Sequence, residues 1–70
     1  MPDKKVMTWE YLVLEHQGRY WFVNRKKEEK LDGKPNHEVL NIIGRDGWEL
    51  VNFLDRDRIE FYFYFKRPVQ

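Results

Sequence analysis

Apolar and polar residues alternate most regularly near the C-terminus, from Ile59 to Arg67. A period of two is typical of a β-strand that has one face in the core and the other face outside it. On this pattern Tyr62 and Tyr64 lie on the outer face of the strand. The face expected in the core carries Ile59, Phe61, Phe63 and Phe65.

Three earlier segments also have the character of strands. Residues 8–15 and 19–24 are rich in aromatic and β-branched side chains, which favour strands. Gln17-Gly18 between them is a turn signal, so the two segments are predicted to form an antiparallel hairpin. Residues 48–54 are predicted as the third strand, and the charged run 55–58 as the hairpin loop that leads into the last one.

A short helix is predicted between the second and the third strand. Asn36 follows Pro35 and has the side chain of an N-cap residue. Gly47 is suited to the left-handed conformation that often ends a helix. Trp48 comes directly after this glycine, and its ring is expected to lie under the helix. The apolar stripe of the helix comprises Val39, Leu40 and Ile43.

The predicted order of elements is ββαββ. It indicates an α+β fold in which four antiparallel strands form one sheet and a single helix packs on one face. The 70 residues are expected to form one domain, with residues 1–7 as a flexible N-terminal arm. Residues 25–35 are expected to form a charged loop, because Leu31 is the only apolar side chain between positions 25 and 34. The alternative is that the second strand continues into this segment.

Residues suited to nucleophilic catalysis are scarce. The sequence has no cysteine and no serine, and Thr8 is its only threonine, so a catalytic triad lacks its parts. His16 and His37 are far apart in sequence, which argues against a zinc site. His37 beside Glu38 fits an ordinary first-turn helix residue better than an acid–base pair. We therefore expect no enzymatic activity, and no catalytic, cofactor-binding or metal-binding residue.

The charges of the chain are numerous but balanced. Thirteen basic and 12 acidic residues give a formal net charge of +1, which provides no global attraction to nucleic acid or to an anionic membrane. No apolar run approaches the roughly 20 residues that span a bilayer. The N-terminus, Met1-Pro2-Asp3-Lys4-Lys5, is not followed by the apolar core of a signal peptide. We expect a cytoplasmic protein without a membrane partner.

Three short motifs give the chain a resemblance to a known family. They are Trp9-Glu10-Tyr11, the run from Gly47 to Val51 (Gly-Trp-Glu-Leu-Val), and Phe65-Lys66-Arg67-Pro68. With these motifs the chain resembles the short bacterial proteins of domain of unknown function 4177 (DUF4177). The resemblance covers nearly the whole chain and implies a small soluble α+β protein, but it implies no activity. Segment 25–34 and Leu12 depart from the family pattern.

The sheet face away from the helix is the candidate site. If Trp9, Tyr11 and Val13 face the helix, the alternating residues of the first strand face outward. An outward patch of leucine and tyrosine exceeds scattered apolar exposure. A chain this short also has a small core, which an oligomer interface would supplement. We therefore expect a homo-oligomer, with a dimer favoured, whose self-association face comprises Leu12, Leu14, Tyr62 and Tyr64.

The favoured function is thus a small non-enzymatic homo-oligomeric interaction or scaffold module, and a different protein partner is a further option. The alternative is weak binding of single-stranded nucleic acid, in which sheet aromatics stack on bases beside Lys66 and Arg67. Outward leucines favour a dry protein contact over such stacking. A small-ligand-binding or enzyme-accessory subunit is the third possibility.

Overall fold

Five strands, one 3-10 helix and one α-helix lie in the part of the chain that the computed structural model describes, residues 6–69. The strands form one antiparallel sheet in the order β3-β2-β1-β5-β4. An α+β fold with one helix and an antiparallel sheet is therefore confirmed, whereas the predicted four strands in the order ββαββ are wrong. The elements are β1 (Trp9–Gln17), β2 (Tyr20–Val23), β3 (Lys26–Lys27), the 3-10 helix (Glu29–Leu31), α1 (Asn36–Arg45), β4 (Glu49–Arg56) and β5 (Glu60–Pro68).

The additional strand arises from a two-residue turn at Asn24 and Arg25. Both residues have positive φ, 50° and 74°, which is the backbone of a tight hairpin that follows the twist of its strands. Asn24 tolerates this conformation, and its Oδ1 accepts a hydrogen bond from the Val13 backbone N–H at 3.0 Å. Segment 25–35, predicted as a charged loop, thus includes β3 and the 3-10 helix. The arm predicted for residues 1–7 falls mostly outside the described residues.

The ends of α1 differ in how well they follow the sequence signals. Pro35, rather than Asn36, occupies the N-cap position, and no side chain caps this end. Asn36 Oδ1 instead lies 2.7 Å from His16 Nδ1, so it contacts the sheet. Gly47 has a φ of 89° and donates its N–H to the Gly44 carbonyl, as a left-handed residue after a helix does.

The core lies between α1 and one face of the sheet. The strand register pairs Leu12 with Phe65 and Leu14 with Phe63, which places these four side chains on the same face. Trp21 of β2 is fully buried on that face, and its Nε1–H donates to the Lys34 carbonyl at 3.1 Å. The buried residues that contact one another are Leu12, Leu14, Trp21, Leu31, Val39, Ile43, Phe63 and Phe65.

The predicted orientation of β1 is wrong. Leu12 and Leu14 were expected on the outer face, but they are 7% and 0% exposed and pack in the core. Trp9 and Tyr11, which were expected in the core, are 37% and 67% exposed. Both faces of this strand carry apolar side chains, so alternation alone did not determine which face is buried. The branched leucines pack beneath the helix, whereas the aromatic residues lie on the outer face.

Candidate functional site

The three sequence motifs meet at one end of the sheet, around Arg67. Its Nε donates to Glu10 Oε2 at 2.6 Å, and its Nη1 donates to the Asp46 carbonyl at 2.6 Å. The guanidinium carbon also lies 4.1 Å from the centroid of the Trp48 ring, in cation–π geometry. Arg67 therefore connects β5 to β1 and to the end of α1. These contacts give the cluster a role in holding the three segments together.

Tyr62 and Tyr64 lie on the outer face of the sheet, as predicted, but without Leu12 and Leu14. Their neighbours on β1 are Glu15, opposite Tyr62, and Val13, opposite Tyr64. Both tyrosines are half-buried. A shallow cavity of about 440 Å³ lies over them and is lined by Val13, Glu15, Asn24, Arg25, Tyr62 and Tyr64.

The rest of the outer face is aromatic and carries charges of both signs. Trp9 and Tyr11 extend it along β1, and Lys66 Nζ lies 4.1 Å from the Trp9 ring centroid. On β2, Tyr20 is 41% exposed and has Lys27 Nζ at 4.3 Å from its ring centroid. Because Leu12 and Leu14 lie in the core, the outer face combines aromatic rings with cations and is less apolar than the sequence predicted.

Four of the exposed apolar side chains in the described part of the chain lie on β4. This strand forms one edge of the sheet, and all eight of its residues are exposed. Ile59, which was expected on the core face of the last strand, lies just before β5 and is 66% exposed. The apolar side chains of β4 and their exposed fractions are Leu50 46%, Val51 55%, Phe53 47% and Leu54 48%. The part of β4 from Leu50 to Leu54 carries no charge. An uncharged, mostly apolar segment at the edge of a sheet is a template for pairing with another strand.

A β-bulge gives β4 apolar side chains on both faces. The register with β5 shifts between Leu50 and Asn52, so that Val51 is the extra residue. Leu50 and Phe53 consequently both lie on the helix side, opposite Phe65 and Phe63. The helix leaves this part of the sheet partly uncovered, because Leu50 and Phe53 remain about half exposed.

Phe53 also belongs to an aromatic cluster on the helix side. Its ring centroid lies 5.1 Å from that of Phe63 and 6.0 Å from that of Phe61, with which it is stacked. The Phe53 backbone N–H donates to Oδ1 of Asn52 at 2.8 Å. The cluster thus extends from the buried core to the exposed edge of the sheet.

The position of β4 was missed at the sequence level, although a signal for it exists. Residues 49–56 read Glu-Leu-Val-Asn-Phe-Leu-Asp-Arg, with two apolar pairs and no strict alternation. Such a pattern fits a strand with apolar side chains on both faces. An edge strand with this pattern has one side of its backbone and much of its side-chain surface available to a partner.

The histidines contribute to the fold or lie at its surface. The His16 ring stacks on Trp21, with ring centroids 3.6 Å apart and an interplanar angle of 14°. His37 is exposed at the start of α1. Within residues 6–69, no three histidine, aspartate or glutamate side chains are grouped so that they could hold a metal ion. None of the helices described is long and apolar enough to cross a membrane.

Comparison with known proteins identifies the family of the chain. No curated protein and no solved structure matched it. A family model described as a domain of unknown function, DUF4177, matches residues 9–67, which include the three motifs and the elements from β1 to β5 except for Pro68 at the end of the last motif and of β5. The protein therefore belongs to the DUF4177 family.

Proposed function

We propose that this protein is a non-enzymatic cytoplasmic interaction module that assembles with copies of itself, as a dimer, through β4. The observation that carries the proposal is the exposure of four apolar side chains on an edge strand that has no protecting charge between Leu50 and Leu54. Natural edge strands usually carry lysine, proline or a covering segment that prevents pairing. The central part of β4 has none of these residues.

Size and packing support the same proposal. A chain of about this length buries a smaller fraction of its surface than a larger domain does, so its core provides limited stability. Among residues 6–69, eight hydrophobic residues form the buried cluster. Association through β4 would remove further apolar surface from water, at roughly 25 cal/mol per Å².

Analytical ultracentrifugation over a concentration series tests the proposal. The wild-type protein should dimerise, and Leu54→Lys should shift the equilibrium toward monomer because it places a charge in the apolar segment. Tyr11→Lys is the matched control, since Tyr11 is 67% exposed on β1, which β5 separates from β4. A wild-type protein that remains monomeric at several hundred micromolar would contradict the proposal.

A second candidate function is supported by the corrected orientation of β1. Trp9 and Tyr11 share the outer face with Tyr62 and Tyr64, beside Lys66. Exposed aromatic rings next to cations are the components of a surface that stacks the bases of single-stranded nucleic acid. The outer face also carries Glu15, so electrostatic attraction would be weak.

Fluorescence anisotropy with labelled single-stranded oligonucleotides at low salt distinguishes this candidate. Binding that weakens steeply with added salt and is lost in Tyr64→Ala would support it. Leu50→Ala is the control variant, because Leu50 lies opposite Phe65 on the helix side of the sheet and away from the aromatic outer face. Unchanged anisotropy up to high micromolar protein would contradict nucleic-acid binding and leave the self-association proposal unaffected.

A further inference from the structure

The two faces of β4 restrict how it can pair with a second copy of itself. Residues directly opposite each other in an antiparallel pair point to the same face of the sheet. The pairings with β5 assign each side chain of β4 to a face. Those on the outer face are Glu49, Asn52, Leu54 and Arg56, and those on the helix side are Leu50, Phe53 and Asp55.

From these assignments we infer that two copies join their β4 strands antiparallel, with Phe53 on the two-fold axis. This inference rests on the proposed self-association and specifies its register. The bulge at Val51 supplies the one-residue offset that keeps the faces matched on either side of the axis. The resulting contacts are Phe53 with the partner's Phe53, Asn52 with the partner's Leu54, Leu50 with the partner's Asp55, and Glu49 with the partner's Arg56.

Charge complementarity favours this register over its neighbours. With Phe53 on the axis, the whole of β4 is paired, and Glu49 faces the partner's Arg56 at both ends of the contact. A pairing centred on Asn52 would leave Asp55 and Arg56 beyond the partner's strand. A pairing centred on Leu54 would leave Glu49 and Leu50 unpaired. Opposite charges placed across two strands stabilise the pair, and like charges destabilise it.

Packing on the helix side favours the same arrangement. Phe53 already contacts Phe61 and Phe63 at its inner edge, with ring centroids 6.0 and 5.1 Å away. On the axis, its outer edge would meet the equivalent ring of the second copy. The two aromatic clusters would become one and cover the part of the sheet that α1 leaves half exposed. The two five-stranded sheets would then continue as a single ten-stranded sheet.

Charge reversal followed by mixing tests this register. Glu49→Arg and Arg56→Glu should each weaken self-association by roughly tenfold or more, because each variant places like charges at both ends of the contact. An equimolar mixture should recover wild-type affinity as a heterodimer, since one copy then has arginine at both positions and the other has glutamate at both. Each variant also alters a contact within its own chain, with Lys66 or Glu60, which mixing leaves unchanged. Recovery therefore reports the contact between copies.

Single cysteines provide an independent measurement, because the native chain has none. Oxidation should cross-link Phe53→Cys to its own copy more efficiently than Asn52→Cys or Leu54→Cys. The inferred register would be overturned if the cross-linking yield were highest at Asn52→Cys or Leu54→Cys, or if mixing the two charge-reversal variants did not restore affinity. In either case a wild-type dimer would leave the proposed function intact. A wild-type monomer would overturn both. Ultracentrifugation measures the oligomeric state independently of the cross-linking pattern. Failure of the proposed self-association can therefore be distinguished from failure of the inferred register.

Discussion

The guanidinium of Arg67 covers the Trp48 ring at 4.1 Å while it donates hydrogen bonds to Glu10 and to the Asp46 carbonyl, each at 2.6 Å. One side chain thereby connects the last strand, the first strand and the end of the helix. These segments are distant in sequence, and they contain the motifs by which the chain resembles its family. In this structure the motifs form a contact that stabilises the fold.

Arg67→Ala is expected to lower the free energy of unfolding by about 1–2 kcal/mol. The exposed ion pair and the cation–π contact each contribute less than about 1 kcal/mol, and the hydrogen bond to the helix end adds a similar amount. The midpoint of thermal unfolding should fall by roughly 4–8 °C per kcal/mol. Circular dichroism during heating would measure this midpoint. Lys66→Ala is the adjacent control, because Lys66 contacts only Trp9 among the rings of the described chain, and it should have a smaller effect.

The tryptophans are expected to differ greatly in their contribution to stability. Trp21 is fully buried and its indole N–H is bonded, so Trp21→Ala should cost about 3–5 kcal/mol and leave the protein largely unfolded. Trp9 is 37% exposed, so Trp9→Ala should cost far less. Chemical denaturation followed by tyrosine fluorescence and circular dichroism compares them. Equal destabilisation by the two substitutions would contradict the assigned orientation of β1.

The elements with one apolar and one polar face could be predicted from sequence, and the others could not. Phe63 and Phe65 were placed correctly because charged or tyrosine residues alternate with them. The buried face of β1 was predicted wrongly, because leucines occupy one face of this strand and aromatic residues occupy the other. Trp48 was expected under the helix but is only partly buried against the core, whereas Trp21 is buried by contacts with residues distant in sequence, among them Phe63.

The candidate site was missed for the same reason. A strand was predicted over residues 48–54, whereas β4 spans Glu49–Arg56 and so includes the first two residues of the predicted loop 55–58. The position of a strand within a sheet also depends on which strands pair with it. β5 pairs with β1 on one side and with β4 on the other, which leaves β4 at the edge. The additional strand was also missed, because Asn24 and Arg25 lack the glycine that usually marks such a turn.

Arg25→Gly is expected to stabilise the protein. Arg25 has a φ of 74°, a left-handed conformation that costs a residue with a side chain about 1–2 kcal/mol. Glycine removes this strain but increases the flexibility of the unfolded chain, so a net gain of about 0.5–1 kcal/mol should remain. Gly18→Ala, in the hairpin between β1 and β2, is the opposite control. Gly18 has a φ of 61° and open space around it, so alanine there should lower the melting midpoint through backbone strain alone.

Folding and association are expected to be linked. If the dimer forms through β4, mass action makes the melting midpoint rise with protein concentration, by roughly a few degrees for each tenfold increase. Leu54→Lys should remove this dependence and melt at the same temperature at every concentration, because its charge opposes burial of the edge. Tyr11→Lys should keep the wild-type dependence, since Tyr11 lies on the outer face of β1. Differential scanning calorimetry from about 10 to 500 μM compares the three proteins. A wild-type midpoint that stays constant over this range would show that the exposed strand does not stabilise the fold by pairing with its own copy.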